Sequence, residues 1–208
     1  MPFRADCVEL SDILYYIIAI VLGGRAAMRW LGGKGRTMEL QKVIEERFSV
    51  RSFSNKPVEE EKIQKILEAA KLCPTAANKQ PQVIYVLQSE ESIAKINELS
   101  PCIYGAKTVF MICYDKDKVW KSPFIEGMDS GYIDTSICCD EMMLTAWDEG
   151  LGSCWLLFFN PIETAEAFGL PDNIVPTALL PVGYYADDTE PAPPHSIYRP
   201  MEEMVVRL

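Results

Sequence analysis

Arg47-Phe48-Ser49-Val50-Arg51 is the stretch on which the reading of this chain turns. It sets two guanidinium groups and a hydroxyl within five residues, directly after Glu39 to Arg47, where Leu40, Val43 and Ile44 share one face of a short helix. Arg presents a planar fork of donors that matches phosphate oxygens, and Ser adds a neutral donor. The segment is therefore equipped to hold a phosphate monoester. The same spacing also occurs on solvated surfaces, so the neighbouring segments have to decide between the two readings.

Downstream, Pro57-Val58 closes the loop and Glu59 to Cys73 reads as a second helix, with Ile63, Ile66, Leu67 and Ala70 turned inward. Its acidic first turn suits the positive end of the helix dipole, and Pro74 stops it. Val83 to Leu87 is rich in strand formers, Glu90 to Leu99 reads as a charged helix, and Thr108 to Tyr114 is a nearly continuous apolar run of the kind a buried strand shows. Asp115 to Asp129 is a polar connection expected to lie over the site, with Trp120 and Phe124 placed to govern substrate choice. Tyr132 to Glu149 is the longest helix. Its apolar residues surround much of its circumference, which fits a central core helix and also a helix partly facing a second subunit. Gly150 and Gly152 are available for a left-handed cap. Ser153 to Phe159 is expected to be a strand, Pro161 to Phe168 a short helix, Ala178 to Tyr185 a last strand, and Pro191, Pro193 and Pro194 mark an extended tail. Strands interspersed with helices, without repeats or a second linker, imply one sheet flanked by helices in a single domain.

Several function classes are excluded or disfavoured by composition. A net charge of −10 over 208 residues argues against a nucleic-acid surface, which needs a basic footprint. Any phosphate site must then be a local basic pocket in an acidic field. The seven cysteines form no Cys-x-x-Cys and mostly sit in apolar company, as reduced buried thiols of a cytoplasmic protein do. His195, in the Pro-rich tail, is the only histidine, which leaves neither a zinc ligand set nor a Ser-His-Asp triad to build on.

Four segments, in order along residues 38–208, resemble the FMN-dependent nitroreductase family. The first is Val43-Ile44-Glu45-Glu46-Arg47-Phe48-Ser49-Val50-Arg51-Ser52-Phe53. The second, Cys73-Pro74-Thr75-Ala76-Ala77-Asn78-Lys79-Gln80-Pro81, is similar to the family's Pro-Ser-x-x-Asn-x-Gln-Pro-Trp turn, with Gln82 where the family commonly has Trp. The third, Asp148 to Leu156, resembles the helix-to-strand junction Gly-Leu-Gly-Ser-x-Trp. The fourth joins Leu180-Pro181-Val182-Gly183-Tyr184-Tyr185 to Tyr198-Arg199-Pro200-Met201-Glu202-Glu203. Some members carry a Glu-Gly pair just beyond the third segment, where this chain has Leu157-Phe158.

The resemblance implies an α+β fold in three layers, α/β/α, around a central mixed, mainly antiparallel sheet, assembled as an intertwined homodimer with flavin at the interface. It implies that Arg47, Ser49 and Arg51 contact the flavin phosphate and ribityl chain with Phe48 contributing backbone. Asn78 meets the flavin, Gln80 contributes beside it, main-chain groups near Leu156 and Leu157 face the ring, and Arg199 brings a third guanidinium. An amide suits both the donor and the acceptor edges of a flavin. Lys79 is a candidate cation beside the ring, with an exposed lysine the favoured reading. The activity implied is hydride transfer from NADH or NADPH to FMN and on to a small electrophile such as a nitroaromatic or quinone, with no side-chain acid or base. A flavin-binding or storage dimer without steady turnover, and a dehalogenating enzyme on the same fold, remain as alternatives.

Residues 1–37 read differently from the rest. Ile13 to Gly24 is apolar but shorter than the roughly 20 residues a membrane span needs. Asp6, Glu9 and Asp12 precede it, and the basic cluster Arg25, Arg29, Lys34 and Arg36 follows, opposite to a signal peptide. Met38 opens MELQKVIEERFSVRSF, as the family domain starts, so Met38 is expected to be the true start and the leader translated upstream sequence. A membrane-surface anchor is the competing reading. A native N-terminus at Pro2, seen by mass spectrometry, would exclude the Met38 start.

Overall fold

A computed structural model of the protein describes residues 39–186 and 188–208. The expectations for residues 1–37 and for Met38 lie outside the described residues. Four strands carry the architecture: β1 (Gln82–Leu87), β2 (Thr108–Asp115), β3 (Gly152–Ser153) and β4 (Ile174–Gly183), in the order β1-β2-β4-β3. Every ladder is antiparallel, and one parallel bridge joins Ser49 to Ser153. The helices are α1 (Leu40–Glu46), α2 (Glu60–Leu72), α3 (Glu90–Leu99), α4 (Gly131–Asp148), α5 (Pro161–Phe168) and α6 (Met201–Met204).

The alternation of β2 sorts the layers. Phe110 and Ile112 point to α2 and α4, where they pack with Ile63, Ile66, Cys139 and Met142. Val109, Met111 and Cys113 point the other way, to Ile96 of α3 and, through Leu170 and Phe168, to the end of α5. Because both faces are covered, β2 is buried at every position, which is why its sequence is an unbroken apolar run. The result is the three-layer α/β/α arrangement.

The helix ends follow their caps. Ser89 and Asn160 accept main-chain N–H groups at the starts of α3 and α5. Gly150, at φ 74°, ends α4 with Leu151 N–H returning to Ala146 C=O at 2.9 Å, a Schellman closure. On α4, Cys138, Cys139, Met142, Met143 and Ala146 are buried, whereas Tyr132 and Ile133 near its start are more than half exposed.

One strand expectation needs correcting. Ser153 to Phe159 is not a continuous strand. Cys154 N–H donates to Pro181 C=O at 3.2 Å, but Pro181 has no N–H to return, so the ladder breaks there. It resumes only as a bridge between Leu156 and Leu179, after which Leu157 and Phe158 turn outward, each 70% exposed. β4 starts four residues earlier than the apolar run implied, and Thr177 bulges within it, its hydroxyl donating to Ile112 C=O at 3.0 Å.

Candidate functional site

The Arg47–Arg51 loop is held as an extended segment beside the sheet edge. Val50 N–H donates to Ser153 C=O at 2.9 Å, Ser54 N–H to Tyr184 C=O at 2.8 Å, and Ala186 N–H to Ser52 C=O at 3.2 Å. Arg47 is extended (φ −62°, ψ 142°), so side chains alternate in direction from there. Val50 is fully buried and Phe48 packs edge-on to Trp147 at 5.3 Å, whereas Ser49 is half-buried and Arg51 exposed. The strand period therefore puts Arg47, Ser49 and Arg51 in one outward row. Gly152 makes this close approach feasible: a Cβ there would sit 2.5 Å from Cγ2 of Val50.

Among the described residues neither Arg47 nor Arg51 has an ion-pair partner. Arg51 Nη1 donates to Ser49 C=O at 3.3 Å. Ser49, Arg51 and Ser52 line a cavity of about 240 Å³, closed on its other side by Asp188, Thr189 and Glu190 of the tail. Behind the loop, burial pushes the Cys154 thiol up, and the Arg51 charge and Ser49 hydroxyl pull it partly back. Phe48 does more than lend its backbone. Its ring joins Trp147, Tyr185 and His195 in a cluster that ties the loop to the end of α4 and to the tail.

The second group, Thr75 to Gln80, is built on strain. Ala77, Asn78 and Gln80 have φ of 51°, 52° and 49°, in the left-handed region that costs a non-glycine residue roughly 1–3 kcal/mol when its surroundings impose it. Side chains supply the constraint: Gln80 N–H donates to Thr75 Oγ1 at 3.0 Å, and Gln80 Nε2 to Asn78 Oδ1 at 3.0 Å. Gln80 therefore aims the Asn78 amide, and both are exposed with Lys79 beside them. Ala76 N–H is accepted by Asp134 of α4 at 2.9 Å. Asp134 was not singled out in the sequence; a lone acid in the first turns of a helix otherwise rich in apolar residues was the available signal. Gln82, at the family's Trp position, donates to Ala70 C=O at 3.1 Å, and its buried Oε1 has no partner among the described residues.

Of the main-chain candidates, Leu156 departs from expectation. Its N–H and C=O both pair with Leu179, at 2.8 and 3.1 Å, so its N–H is not free to donate to a ligand. Leu157 N–H has no partner among the described residues, and Leu157 and Phe158 border an apolar groove of about 540 Å³. Arg199 lies exposed in the tail before α6, with no ion pair among the described residues. A groove of about 440 Å³ between α5 and β4 contains none of these residues. Among the described residues no cluster of His, Cys, Asp and Glu is placed to hold a metal.

The loop and the turn are fastened to opposite ends of one helix: Ala76 to Asp134, Phe48 to Trp147. Those anchors are 13 residues apart on α4, about 20 Å of helical rise. Among the described residues, the cavity of about 240 Å³ lined by Ser49 and Arg51 includes none of Thr75 to Gln80.

The Nitroreductase family profile matches residues 44–101 and 99–184. The chain belongs to the nitroreductase family. A nitroreductase-family crystal structure from Clostridium difficile 630 is 39% identical, with a TM-score of 0.76 over 81% of this chain and 98% of its own. A relative from Archaeoglobus fulgidus, provisionally named an NADH dehydrogenase/NAD(P)H nitroreductase, is 31% identical over 73% of this chain and 88% of its length. An FMN reductase [NAD(P)H] of Bacillus subtilis is 27% identical over 74% and 69% respectively. The nitroreductase fold accounts for the α/β/α layering.

Proposed function

We propose that the protein is an FMN-dependent oxidoreductase that takes reducing equivalents from NADH or NADPH and delivers them to a small electrophile such as a nitroaromatic or quinone. The observation that carries this is the outward row Arg47-Ser49-Arg51: two guanidinium groups without ion-pair partners among the described residues, in a chain of net charge −10. Such a row fits a phosphate monoester. The names of the Archaeoglobus and Bacillus relatives support the same cofactor and donor.

Bound flavin supplies the hydride chemistry, and the chain supplies binding and orientation. Arg47, Ser49 and Arg51 hold the phosphate, with Phe48 packing the loop in place and Arg199 adding charge from the tail. Asn78, aimed by Gln80, presents its free amide donors to the ring edge. Leu157 N–H offers a main-chain donor, and a donor fixed in advance costs no reorganisation when negative charge develops.

The working unit in this reading is a homodimer. The roughly 20 Å between loop and turn anchors is bridged when the loop of one chain meets the turn of a second. Exposed Leu40 and Ile44 on α1, Tyr132 and Ile133 on α4, and Ile197, Tyr198, Met201 and Met204 in the tail supply apolar surface for that contact. Among the described residues no helix is long and apolar enough to cross a membrane, and all six described cysteines are free thiols, in keeping with a cytoplasmic setting.

The test is anaerobic reduction of the purified, FMN-loaded protein. Bleaching of the yellow flavin by NADH or NADPH, and its recovery on adding a nitroaromatic or quinone, is the expected result. Bound flavin that neither nucleotide bleaches would favour a flavin-storage protein, and failure to take up FMN would overturn the site.

A further inference from the structure

Asp134 joins two segments that are far apart in sequence. Its side chain is 1% exposed and lies outside the groups assigned to cofactor contact. One carboxylate oxygen accepts Ala76 N–H from the Asn78 turn at 2.9 Å; the other accepts the Ser130 hydroxyl at 2.6 Å. Ser130 Oγ in turn accepts Trp120 N–H at 3.2 Å, and Ser130 N–H donates to Trp120 C=O at 3.0 Å. The hydrogen bonds run unbroken from the left-handed turn, through a single buried carboxylate, to the base of the segment 120–130.

That segment is a small hairpin. Lys121 bridges Asp129, Ser122 N–H donates to Met128 C=O at 2.9 Å, and Ser122 Oγ accepts the N–H groups of Phe124 and Ile125. Its tip carries Phe124 at 91% and Ile125 at 58% exposure. An exposed apolar tip on a pinned base and a strained turn presenting an amide thus share one fastening. With the carboxylate removed, Ala76 N–H, which is partly buried, and the buried Ser130 hydroxyl both lose their partner.

We propose that Asp134 is a positioning residue that locks the Asn78 turn and the 120–130 hairpin into one unit, so that loosening the hairpin loosens the amide-bearing turn. The coupling itself follows from the hydrogen bonds; its consequence for flavin binding rests on the function proposed above.

Amide hydrogen exchange on the intact protein tests the coupling without any flavin. Ser130→Ala cuts only the hairpin side. It is expected to speed exchange across residues 75–80 by about tenfold while the protected amides of β2 and β4 are unchanged. Asp134→Asn keeps an acceptor for Ala76 N–H and is expected to preserve protection of the turn, whereas Asp134→Ala loses it in both segments. Exchange that rises uniformly over the domain, or a turn indifferent to Ser130→Ala, would overturn the proposal. With FMN present, Ser130→Ala is expected to weaken binding in the parent and to have no effect in an Asn78→Ala background; additive effects would count against the coupling. If the parent takes up no FMN, the exchange result still decides the coupling and only the functional reading fails.

Discussion

The Arg47–Arg51 loop and the Thr75–Gln80 turn reach the surface by opposite routes. The loop is relaxed, extended backbone stitched to Ser153 by main-chain pairing, so its role in the proposed site rests on which side chains the strand period turns outward. The turn has three left-handed non-glycine residues and is held by side chains: Thr75, Gln80 and, from another element, Asp134. The first region separates binding from stability. The second merges them, because the residues that aim the amide also hold the strained backbone.

Removing charge from the loop is the strongest way to sharpen this contrast. Arg47→Ala with Arg51→Ala removes charge-assisted hydrogen bonds of about 1.5–3 kcal/mol each, so FMN affinity by fluorescence titration is expected to fall about 100-fold or more. The melting temperature of the flavin-free protein should hardly move, since neither guanidinium has an ion-pair partner among the described residues to lose. A large loss of stability would break the distinction. Next is Gly152→Ala, whose Cβ would press on Val50 at 2.5 Å. Overpacking of this kind costs roughly 1–3 kcal/mol, to be read from urea unfolding. Asn78→Ala removes neutral hydrogen bonds and should weaken FMN by about five- to tenfold, at roughly 1 kcal/mol per bond. The smallest effect is expected from Ala77→Gly. At φ 51° glycine relieves strain, against its greater freedom in the unfolded chain, for a net gain of up to about 1 kcal/mol in unfolding free energy.

The same contrast explains what could be read from the chain. Arg47, Ser49 and Arg51 could be singled out because their chemistry lies within five adjacent residues, and a sheet flanked by helices because strands and helices alternate along the chain, the three-layer form coming from the family resemblance. The edge strand after Gly152 was misjudged: the residue that breaks its ladder, Pro181, lies on the partner strand. Leu156 looked free for the same reason, since only register shows that Leu179 takes both its main-chain groups. The turn was legible in composition and not in mechanism. Nothing local to Ala77 or Gln80 signals left-handed backbone, and the carboxylate that fastens Ala76 comes from a helix 58 positions away.

In the proposed dimer the two regions, anchored about 20 Å apart on α4, complete one flavin site by meeting across a pair of chains. Subunit mixing tests it directly. Chains carrying Arg47→Ala with Arg51→Ala are unfolded and refolded together with chains carrying Asn78→Ala, and the mixed dimer is isolated by differential tags and titrated with FMN. If loop and turn come from different chains, each mixed dimer holds one site with both lesions and one with none, and parental affinity returns at one FMN per dimer. If both regions serve the same chain's site, every site in the mixed dimer carries a lesion and no parental affinity appears, and the shared site across two chains is ruled out.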